Sequence, residues 1–422
     1  MFFIFGLWFL ILWIMKILML TPYLPYPLLS GGQIRTYNLL KNLKDKHEIT
    51  LFALIKQEKE KKYVKNLQNF CKKIVLLKRT KNPWHFRNIF LAGITPYPFL
   101  VTRNWPIGAK KIIKKEIEKE KFDLIHAETF YMMPNIPKTK IPILLAEQTI
   151  EYLAFLDFTQ KSKNAVLKPF LYFDVLKLLL WEKFYWQKAS RLVTMSQEDK
   201  QFIKKMIKRQ VKIDVVANGV DIDWFKRVKK KLPSRPTVLF VGTFKWMPNI
   251  DAVEFLVEKI WPDIKESLPQ AQLKIVGFSP TKKIKSYSRD ASIIVEGNID
   301  DIRKAYQSTH VLLAPIRSGK GTRYKVLEAM ATGTPVVATR LGVEGIDIIP
   351  GKHALVADKA NDLAQETVRV LKNKSLQKKL AQAGKKLVSE KYNWKVISGE
   401  LDRVYRELGS SLLSKTSHAD FA

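Results

Sequence analysis

Short apolar runs alternate with longer segments of helical periodicity along nearly the whole chain. This alternation is typical of βα units built around parallel sheets. In the first half of the chain it predicts strands at residues 17–20, 48–54, 73–77, 122–126, 143–146, 190–195 and 211–216. In the second half it predicts strands at residues 237–242, 272–276, 292–296, 310–315, 335–339 and 353–356.

The two sets of strands are similarly spaced, which predicts an α/β protein with two doubly wound, Rossmann-like domains. A polar, cationic and proline-bounded segment between the two sets is typical of a linker. We therefore expect a ligand in a cleft at the carboxyl ends of both sheets. The predicted divisions are an apolar extension (1–15), an amino-terminal domain (16–227), a linker (228–236), a carboxyl-terminal domain (237–395) and a final helix with a tail (396–422).

The first fifteen residues, "MFFIFGLWFLILWIM", are apolar and uncharged. They lack the basic region and cleavage site of a signal peptide, and the run is short for a membrane-spanning helix. The run continues directly into "KILML", which has the pattern of a buried strand. We expect the folded protein to begin near Met15, and the preceding segment to be an upstream extension or a weak membrane-associating tail.

The net charge of the chain says more about its binding partners than its overall composition does. Hydrophobic residues make up 46% and charged residues 27%, which is typical of a globular protein. The chain has 73 Lys and Arg against 39 Asp and Glu, a formal charge of +34 that attracts polyanions. No nucleic-acid-binding motif accompanies this charge, so nucleic acid is an unlikely partner. An anionic membrane surface and a phosphorylated small molecule remain as candidates.

Cysteine and histidine usage limits the possible chemistry. Cys71 is the only cysteine, so no internal disulfide can form, which fits a reducing, cytoplasmic location. The six histidines show no His-x-x-x-His pair, so we expect neither a metal site nor a bound cofactor.

Two segments, residues 79–105 and 161–187, combine aromatic residues with cations. A basic, aromatic amphipathic helix can lie on an anionic membrane. A helix that faces the core and carries solvated lysines has the same pattern, so both interpretations stay open.

The stretch "SGKGTRYKVLEAMATGTPVV", which begins at Ser318, has the features of an anion site. The pattern predicts tight turns at Gly319 and Gly321, and a helix that Thr322 caps and that runs to about Thr332. The amide groups and the dipole at the start of that helix favour an anion. Nearby cations, which add positive charge for a diphosphate, are Lys320, Arg323 and Lys325.

Glu328 follows on the same helix, one turn beyond these cations. Its two carboxylate oxygens match a vicinal diol, so Glu328 can bind a ribose attached to that diphosphate. We therefore infer that the ligand is a nucleoside diphosphate. A nicotinamide-dinucleotide site is disfavoured, because "GKGTRY" lacks the third glycine of G-x-G-x-x-G and lies late in its domain.

From Met15 onward the sequence resembles glycosyltransferase family 4, the retaining nucleotide-sugar enzymes of GT-B fold. The resemblance is carried by "GTRYKVLEAMATGTPVVAT" with "GVEGI", and by "MKILMLTPYLPYPLLSGGQIRTYNLLKNL" near the start. Further matching segments, in order, include "FDLIHAETF", "LLAEQTIEY", "VVANGVDIDWF", "VLFVGTFKWMPNIDAVEFL" and "VEGNIDDIRKAYQSTHVLLAPIRSG". No metal is needed for transfer if the chain follows the family.

The resemblance also implies roles for individual residues. Glu328 is expected to bind the donor ribose. The remaining donor-site residues that it implies are Gly31 and Gly32 beside the diphosphate, Gly242 and Thr243 lining the site, and Gly297 flanking the base.

The chain departs from the family pattern at three points. Lys320 stands where many members have a second glutamate, which puts that contact with the donor sugar in question. Thr243 stands where a diphosphate-binding arginine is usual, which leaves Lys245, Arg323 and Lys325 as replacements. Glu128 replaces the second histidine of the usual D-x-x-H-x-H context, so His126 and Glu128 are the candidate catalytic residues.

The sequence thus predicts a glycosyltransferase that transfers a hexosyl group from a nucleoside-diphosphate sugar to an acceptor hydroxyl, with retention. A lipid-linked or glycan acceptor in cell-surface polysaccharide synthesis, at the inner membrane face, fits the charge and the aromatic segments. The alternatives are a nucleotide-sugar-binding protein without transfer activity and a polyanion-binding protein.

Overall fold

The computed structural model describes residues 14–162, 164–319 and 321–417. Within these residues the chain divides into two units, and each has its own parallel sheet and its own apolar core. Unit 1 comprises the chain up to Ala217 together with the chain from Ile397 onward, and unit 2 comprises Asn218–Val396. The predicted linker at residues 228–236 contains neither helix nor strand, and its role stays a prediction.

The sheet of unit 1 has seven strands: β1 (Met15–Thr21), β2 (His47–Ile55), β3 (Lys73–Lys78), β4 (Leu124–Glu128), β5 (Ile143–Glu147), β6 (Arg191–Thr194) and β7 (Ile213–Val215). They pair in the order β3-β2-β1-β4-β5-β6-β7, and all neighbours are parallel. The strand order reverses between β1 and β4. In open parallel sheets the ligand crevice lies at the carboxyl ends of the strands on either side of such a reversal.

Helices connect and cover these strands: α1 (Gly31–Leu43), α2 (Phe86–Ile94), α3 (Phe99–Arg103), α4 (Ala109–Lys119), α5 (Glu151–Lys161), α6 (Lys168–Lys188) and α7 (Gln197–Met206). Two 3₁₀ helices lie at Glu58–Asn66 and Phe130–Asn135. Because helices cover both faces, the strands are apolar on both sides, and Met19 and Leu20 of β1 are both fully buried.

Unit 2 has six strands: β8 (Thr237–Val241), β9 (Gln272–Gly277), β10 (Ile293–Gly297), β11 (Val311–Ala314), β12 (Val336–Ala338) and β13 (Leu355–Val356). They are parallel in the order β10-β9-β8-β11-β12-β13, which reverses between β8 and β11. The helices are α8 (Ile222–Lys226), α9 (Met247–Phe255), α10 (Trp261–Ser267), α11 (Lys282–Ser286), α12 (Arg303–Gln307), α13 (Tyr324–Thr332), α14 (Ala360–Lys372) and α15 (Lys374–Lys391). Short helical turns complete it at Leu256–Ile260, Tyr287–Arg289 and Leu341–Val343.

The last helix, α16 (Trp394–Ser417), contributes side chains to the core of unit 1. Asp402 Oδ1 lies 2.9 Å from His47 Nε2, and Tyr405 Oη lies 2.5 Å from His126 Nδ1. The carboxyl-terminal helix that the sequence predicts is therefore part of the packing around β2 and β4.

The prediction of two doubly wound parallel sheets is confirmed, and each of the thirteen predicted strands overlaps a strand of the structure. The first strand begins at Met15, which is fully buried. The apolar run at residues 1–13 lies outside the described residues. Among the helices that the structure does describe, none is long and apolar enough to cross a bilayer.

Candidate active site

The glycine loop before α13 is held in shape by its own side chains and by a close neighbour. Gly319 has φ +87° and Gly321 has φ +98°, a backbone region that glycine adopts without strain. A β-carbon at Gly319 would come within 2.8 Å of Pro248 Cγ, so the loop passes too close to Pro248 for a side chain. The backbone at both glycines therefore adopts the conformation for which the sequence selects glycine.

Arg323 braces the same loop. Its guanidinium donates to the carbonyl oxygens of Gly319, at 2.8 Å, and of Leu341, at 3.3 Å. Burial lowers the pKa of Arg323, and the carboxylate of Glu344 opposes this effect. Lys320 lies outside the described residues, so its expected phosphate contact stays a prediction.

The helix begins later than the sequence predicts. Its N-cap residue is Arg323 instead of Thr322, and the helix runs from Tyr324 to Thr332. Thr322 Oγ1 instead accepts a hydrogen bond from Asn218 Nδ2 at 3.1 Å, which leaves this hydroxyl engaged away from the helix amides. The end of the helix is as predicted, because Gly333 forms the C-cap in the left-handed region with φ +71°.

Glu328 lies in the middle of α13, where Tyr306 holds its carboxylate. Tyr306 Oη donates to Glu328 Oε2 at 2.8 Å, and Tyr306 itself is fully buried. Burial raises the pKa of Glu328, whereas the hydrogen bond from Tyr306 and the charge of Lys325 lower it. One carboxylate oxygen is thus fixed by a buried phenol, and the side chain is only partly buried.

Lys325 lies one turn before Glu328 on α13 and is buried. Its Nζ donates to Asn249 Oδ1 at 2.8 Å and lies 4.1 Å from the centre of the Phe240 ring. Asn249 Nδ2 in turn donates to the carbonyl oxygen of Thr243 at 2.9 Å. Burial lowers the pKa of Lys325 to about 7, and the positive charge of Arg323 acts in the same direction. Asn249 therefore links α13 to the end of β8.

Glycine is required where β8 and β9 end. A β-carbon on Gly242 would lie 2.8 Å from Asn249 Cγ, and one on Gly277 would collide with the carbonyl oxygen of Gly242. The two remaining predicted residues lie further out on unit 2. Gly297, at the end of β10, is exposed beside Pro280, and the exposed Lys245 lies over the Phe278 ring at 4.9 Å.

In unit 1, Glu128 ends β4 and is fully buried. Gln148, just beyond β5, donates to Glu128 Oε2 at 2.5 Å and to Tyr23 Oη at 2.9 Å. Gly32, in the first turn of α1, packs so tightly against Tyr23 and Gln148 that a β-carbon would clash with both side chains. The structure therefore brings Gly32 and Glu128 together through Tyr23 and Gln148, with Gly31 beside them at the start of α1.

His126 lies two residues earlier on β4 and is also fully buried. Its Nε2 is 3.4 Å from Glu128 Oε1, and its Nδ1 contacts Tyr405 Oη. Burial lowers the pKa of His126 to about 4, against the opposing effect of Glu128. The imidazole is therefore neutral at physiological pH.

Comparison with known proteins places this arrangement in a family. The sequence model described as Glycosyltransferase Family 4 matches residues 29–224, and the model described as Glycosyl transferases group 1 matches residues 235–373. An uncharacterised glycosyltransferase of Methanocaldococcus jannaschii is 25% identical over 94% of this chain and 99% of its own length. The phosphatidyl-myo-inositol mannosyltransferase of Mycobacterium leprae is 30% identical over 46% of this chain and 54% of its own length.

Solved structures agree on the fold. Sucrose-phosphate synthase from Thermosynechococcus elongatus matches with a TM-score of 0.71 and 18% identity, over 94% of this chain and all of that one. The Anabaena protein HepE, in complex with UDP and glucose, matches with a TM-score of 0.63 and 16% identity, over 93% of this chain and all of that one. The chain belongs to the group 1, family-4-like glycosyltransferases of GT-B fold.

Sequence reasoning missed the side chains that hold the predicted residues in place. In unit 2 these are Tyr306 and Asn249, and in unit 1 they are Tyr23, Gln148 and Tyr405. Gln148 had a usable signal, because it lies two residues after the predicted strand at residues 143–146, at the edge where ligands bind. Within the described residues, no three His, Cys, Asp or Glu side chains are grouped to bind a metal ion.

Proposed function

We propose that this glycosyltransferase transfers a hexosyl group from a nucleoside-diphosphate sugar to an acceptor hydroxyl, with retention of configuration and without a metal ion. The observation that carries the proposal is the carboxylate of Glu328, which Tyr306 orients on α13 behind a glycine loop. A carboxylate at this distance from a helix amino terminus suits a ribose whose diphosphate lies at that terminus. UDP bound to the structural relative HepE supports the same class of donor.

The proposed chemistry is electrostatic. As the bond between sugar and diphosphate breaks, negative charge grows on the leaving group. The amide groups at the start of α13 and the cations Lys245 and Lys325 can offset that charge. Burial and the charge of Arg323 lower the pKa of Lys325 to about 7, and a diphosphate bound nearby would favour its protonated form.

In unit 1, the proposed role of Glu128 is to face the transferred sugar from the end of β4. His126 is neutral, buried and in contact with Tyr405, so we assign it the role of positioning Glu128.

We further propose that the acceptor is presented at an anionic membrane, in cell-surface glycan synthesis. The supporting observation is an exposed aromatic surface on unit 1, formed by residues 84–94 and 158–184. The described residues include 25 large hydrophobic side chains that are exposed, and 14 of these lie in the two segments. Phe86 and Phe170 are 76% and 72% exposed, far more than a core-facing helix allows.

The two segments lie side by side. Lys177 Nζ in α6 donates to the carbonyl oxygen of Thr95 at 2.9 Å, and Trp181 Nε1 donates to that of Pro96 at 2.7 Å. The opposite face of α6 is buried. The helix therefore both packs on the core of unit 1 and exposes an aromatic face, so it combines the two interpretations of its sequence pattern. A surface of aromatic and aliphatic side chains flanked by lysines is suited to an anionic membrane interface.

The donor proposal is tested with a thermal-shift panel of UDP, GDP, ADP and TDP on the full chain, followed by transfer assays in EDTA. A ligand at about 100 times its dissociation constant stabilises the folded protein by about 2.7 kcal/mol. We expect one of the four nucleotides to stabilise the protein more than the others. Glu328→Ala should weaken the binding of that nucleotide by about 10-fold to 100-fold through loss of charge-assisted hydrogen bonds. The matched control is Glu266→Ala, an exposed carboxylate on α10 of the same unit.

Equal nucleotide affinities of the Glu328→Ala and Glu266→Ala variants would refute the assignment of Glu328. Nucleotide binding without transfer to any acceptor or to water would instead favour the sugar-nucleotide-binding alternative. Inversion at the anomeric carbon of the product, read by NMR, would overturn the proposed retention.

A further inference from the structure

A second polar cluster lies in unit 1, beyond the residues around Glu128. Arg79 directly follows β3, Arg103 ends α3, Tyr131 lies in the 3₁₀ helix after β4, and Glu151 begins α5 after β5. Because β3, β4 and β5 are parallel, three of these residues lie at the carboxyl edge of one sheet. This is the edge at which doubly wound sheets bind ligands.

Arg79 is held in place by a hydrogen bond, and neither arginine forms an ion pair within the described residues. Arg79 Nη1 donates to Asn104 Oδ1, whose own amide donates to the carbonyl oxygen of Leu100 at 2.8 Å. The Nε atoms of Arg79 and Arg103 are both buried and have no hydrogen-bond partner among the described residues. A buried guanidinium nitrogen without a partner is costly, so these atoms indicate a missing acceptor.

The surrounding charges indicate an anion. Burial, together with the like charge of Arg103, lowers the pKa of Arg79 to about 10. Glu60 and Glu151 lie within electrostatic range of Arg79 and Arg103 respectively, yet neither carboxylate forms an ion pair with them in the described structure. Burial raises the pKa of Glu151 to about 7, so this carboxylate is only partly ionised at neutral pH.

The cluster is next to the Glu128 site. Tyr131 is within electrostatic range of both arginines on one side and of Tyr23 on the other. Gln148 Nε2 donates one hydrogen bond to Tyr23 Oη and another to Glu128 Oε2. A group bound by the arginines would therefore lie close to the residue that we place beside the transferred sugar.

We propose that Arg79 and Arg103 bind a phosphate group of the acceptor. This inference rests on the proposed function, since it assigns the acceptor-side chemistry of the same enzyme. Planar guanidinium groups pair with phosphate through paired N–H donors, and two of them match its double negative charge. The phosphate belongs either to a lipid headgroup or to a soluble phosphate ester, and the bound chemistry is the same.

The test measures binding of sn-glycerol 3-phosphate by calorimetry to the full chain saturated with its nucleoside diphosphate, which occupies the donor site. We expect millimolar binding that weakens at least tenfold in both Arg79→Gln and Arg103→Gln. The matched control is Arg209→Gln, an exposed arginine of unit 1 that donates to the carbonyl oxygen of Gln187. No binding to the wild type, or equal binding by all variants, would overturn the proposal.

A second measurement needs no substitution. Wild-type protein is treated with phenylglyoxal, and modified arginines are mapped by peptide mass spectrometry. Glycerol 3-phosphate should protect Arg79 and Arg103 but not Arg209, and phosphatidic acid vesicles should protect them more strongly if the phosphate is a lipid headgroup. Protection of none of the arginines by either probe refutes the inference.

These outcomes separate this proposal from the donor proposal. If no nucleotide binds, the phosphate measurements are made on the ligand-free chain, and protection of the two arginines then supports the phosphate site alone. If nucleotide binds and depends on Glu328 but the arginines stay unprotected, only the acceptor inference fails.

Discussion

Ionisable side chains at the two sites are oriented by hydrogen bonds and ring contacts with their neighbours. Tyr306 fixes one oxygen of Glu328, and Asn249 holds Lys325. His126 lies between Tyr405 and Glu128 and cannot hold a proton at neutral pH. Such residues need no large rearrangement to meet a charged ligand, because their orientation is fixed before it binds.

His126 should make folding stability depend on pH on the acid side. Its pKa falls from 6.5 to about 4 on folding, so the unfolded chain binds more protons between these values. The stability that depends on neutral His126 is therefore present above pH 6.5 and is lost as the pH falls through about 4, by about 3 kcal/mol at most. Urea unfolding from pH 4 to 7 measures this slope.

The variant His126→Gln should have a shallower slope, because glutamine does not titrate. The exposed His85 on the same unit provides the control, since His85→Gln should leave the slope unchanged. An identical slope in wild type and His126→Gln would contradict the assigned neutral state.

At the scale of elements, the ends of β8 and β9 depend on a backbone approach that only glycine permits. In Gly277→Ala the new methyl group would collide with the carbonyl oxygen of Gly242, which cannot move without shifting the loop before Asn249. We expect a loss of at least about 2 kcal/mol in unfolding free energy, measured in urea, together with weaker nucleotide binding.

The matched change is Gly399→Ala, in the interior of α16. No atom outside the adjoining backbone of α16 lies within 4 Å of the new methyl group, so this change should stabilise the protein by about 0.5–1 kcal/mol. If Gly277→Ala were as stable as the wild type, the backbone at Gly277 would not lie as close to the carbonyl oxygen of Gly242 as the structure indicates.

Strands were predictable because they are short apolar runs, and the central ones, such as β1 and β8, are buried on both faces. The start of α13 was not, because a long-range bond from Asn218 engages the hydroxyl of Thr322. The local sequence pattern was enough to place Glu328 on a helix. Its hydrogen bond with Tyr306, which lies 22 residues earlier, depends on the fold and could not be predicted from that pattern. Tyr405 contacts His126 although 279 residues separate them in the sequence, so hydrophobic periodicity could not predict this contact.

At the scale of the whole molecule, charge and exposed apolar area act together on unit 1. The formal charge of +34 attracts the chain to anionic surfaces over a distance that salt shortens. The aromatic surface adds apolar contact that salt does not screen. Lys177 and Lys188 lie over the Phe173 and Phe184 rings, which places cations directly beside that surface. If both electrostatic attraction and apolar contact contribute to membrane binding, high salt should weaken the binding without abolishing it.

Liposome flotation tests this expectation. Wild-type protein should float with vesicles of phosphatidylglycerol and phosphatidylcholine at low salt, more weakly at high salt, and poorly with phosphatidylcholine alone. Replacing Phe86, Phe90, Phe170 and Phe173 by serine should reduce binding at least tenfold, because each loses about 1.5–3 kcal/mol of burial in the interface. The control Ile349→Ser removes a side chain that is 52% exposed on unit 2 and should change nothing.

The salt dependence of the variants separates the two contributions. If the four serines leave binding intact and high salt abolishes it, attraction is purely electrostatic and the aromatic surface has another partner. If the wild type fails to float even at low salt, the membrane proposal is wrong, and the phosphate bound at Arg79 and Arg103 must come from a soluble acceptor. Binding that persists at high salt in the wild type and disappears in the serine variant is the result that the exposed rings of α2 and α6 predict.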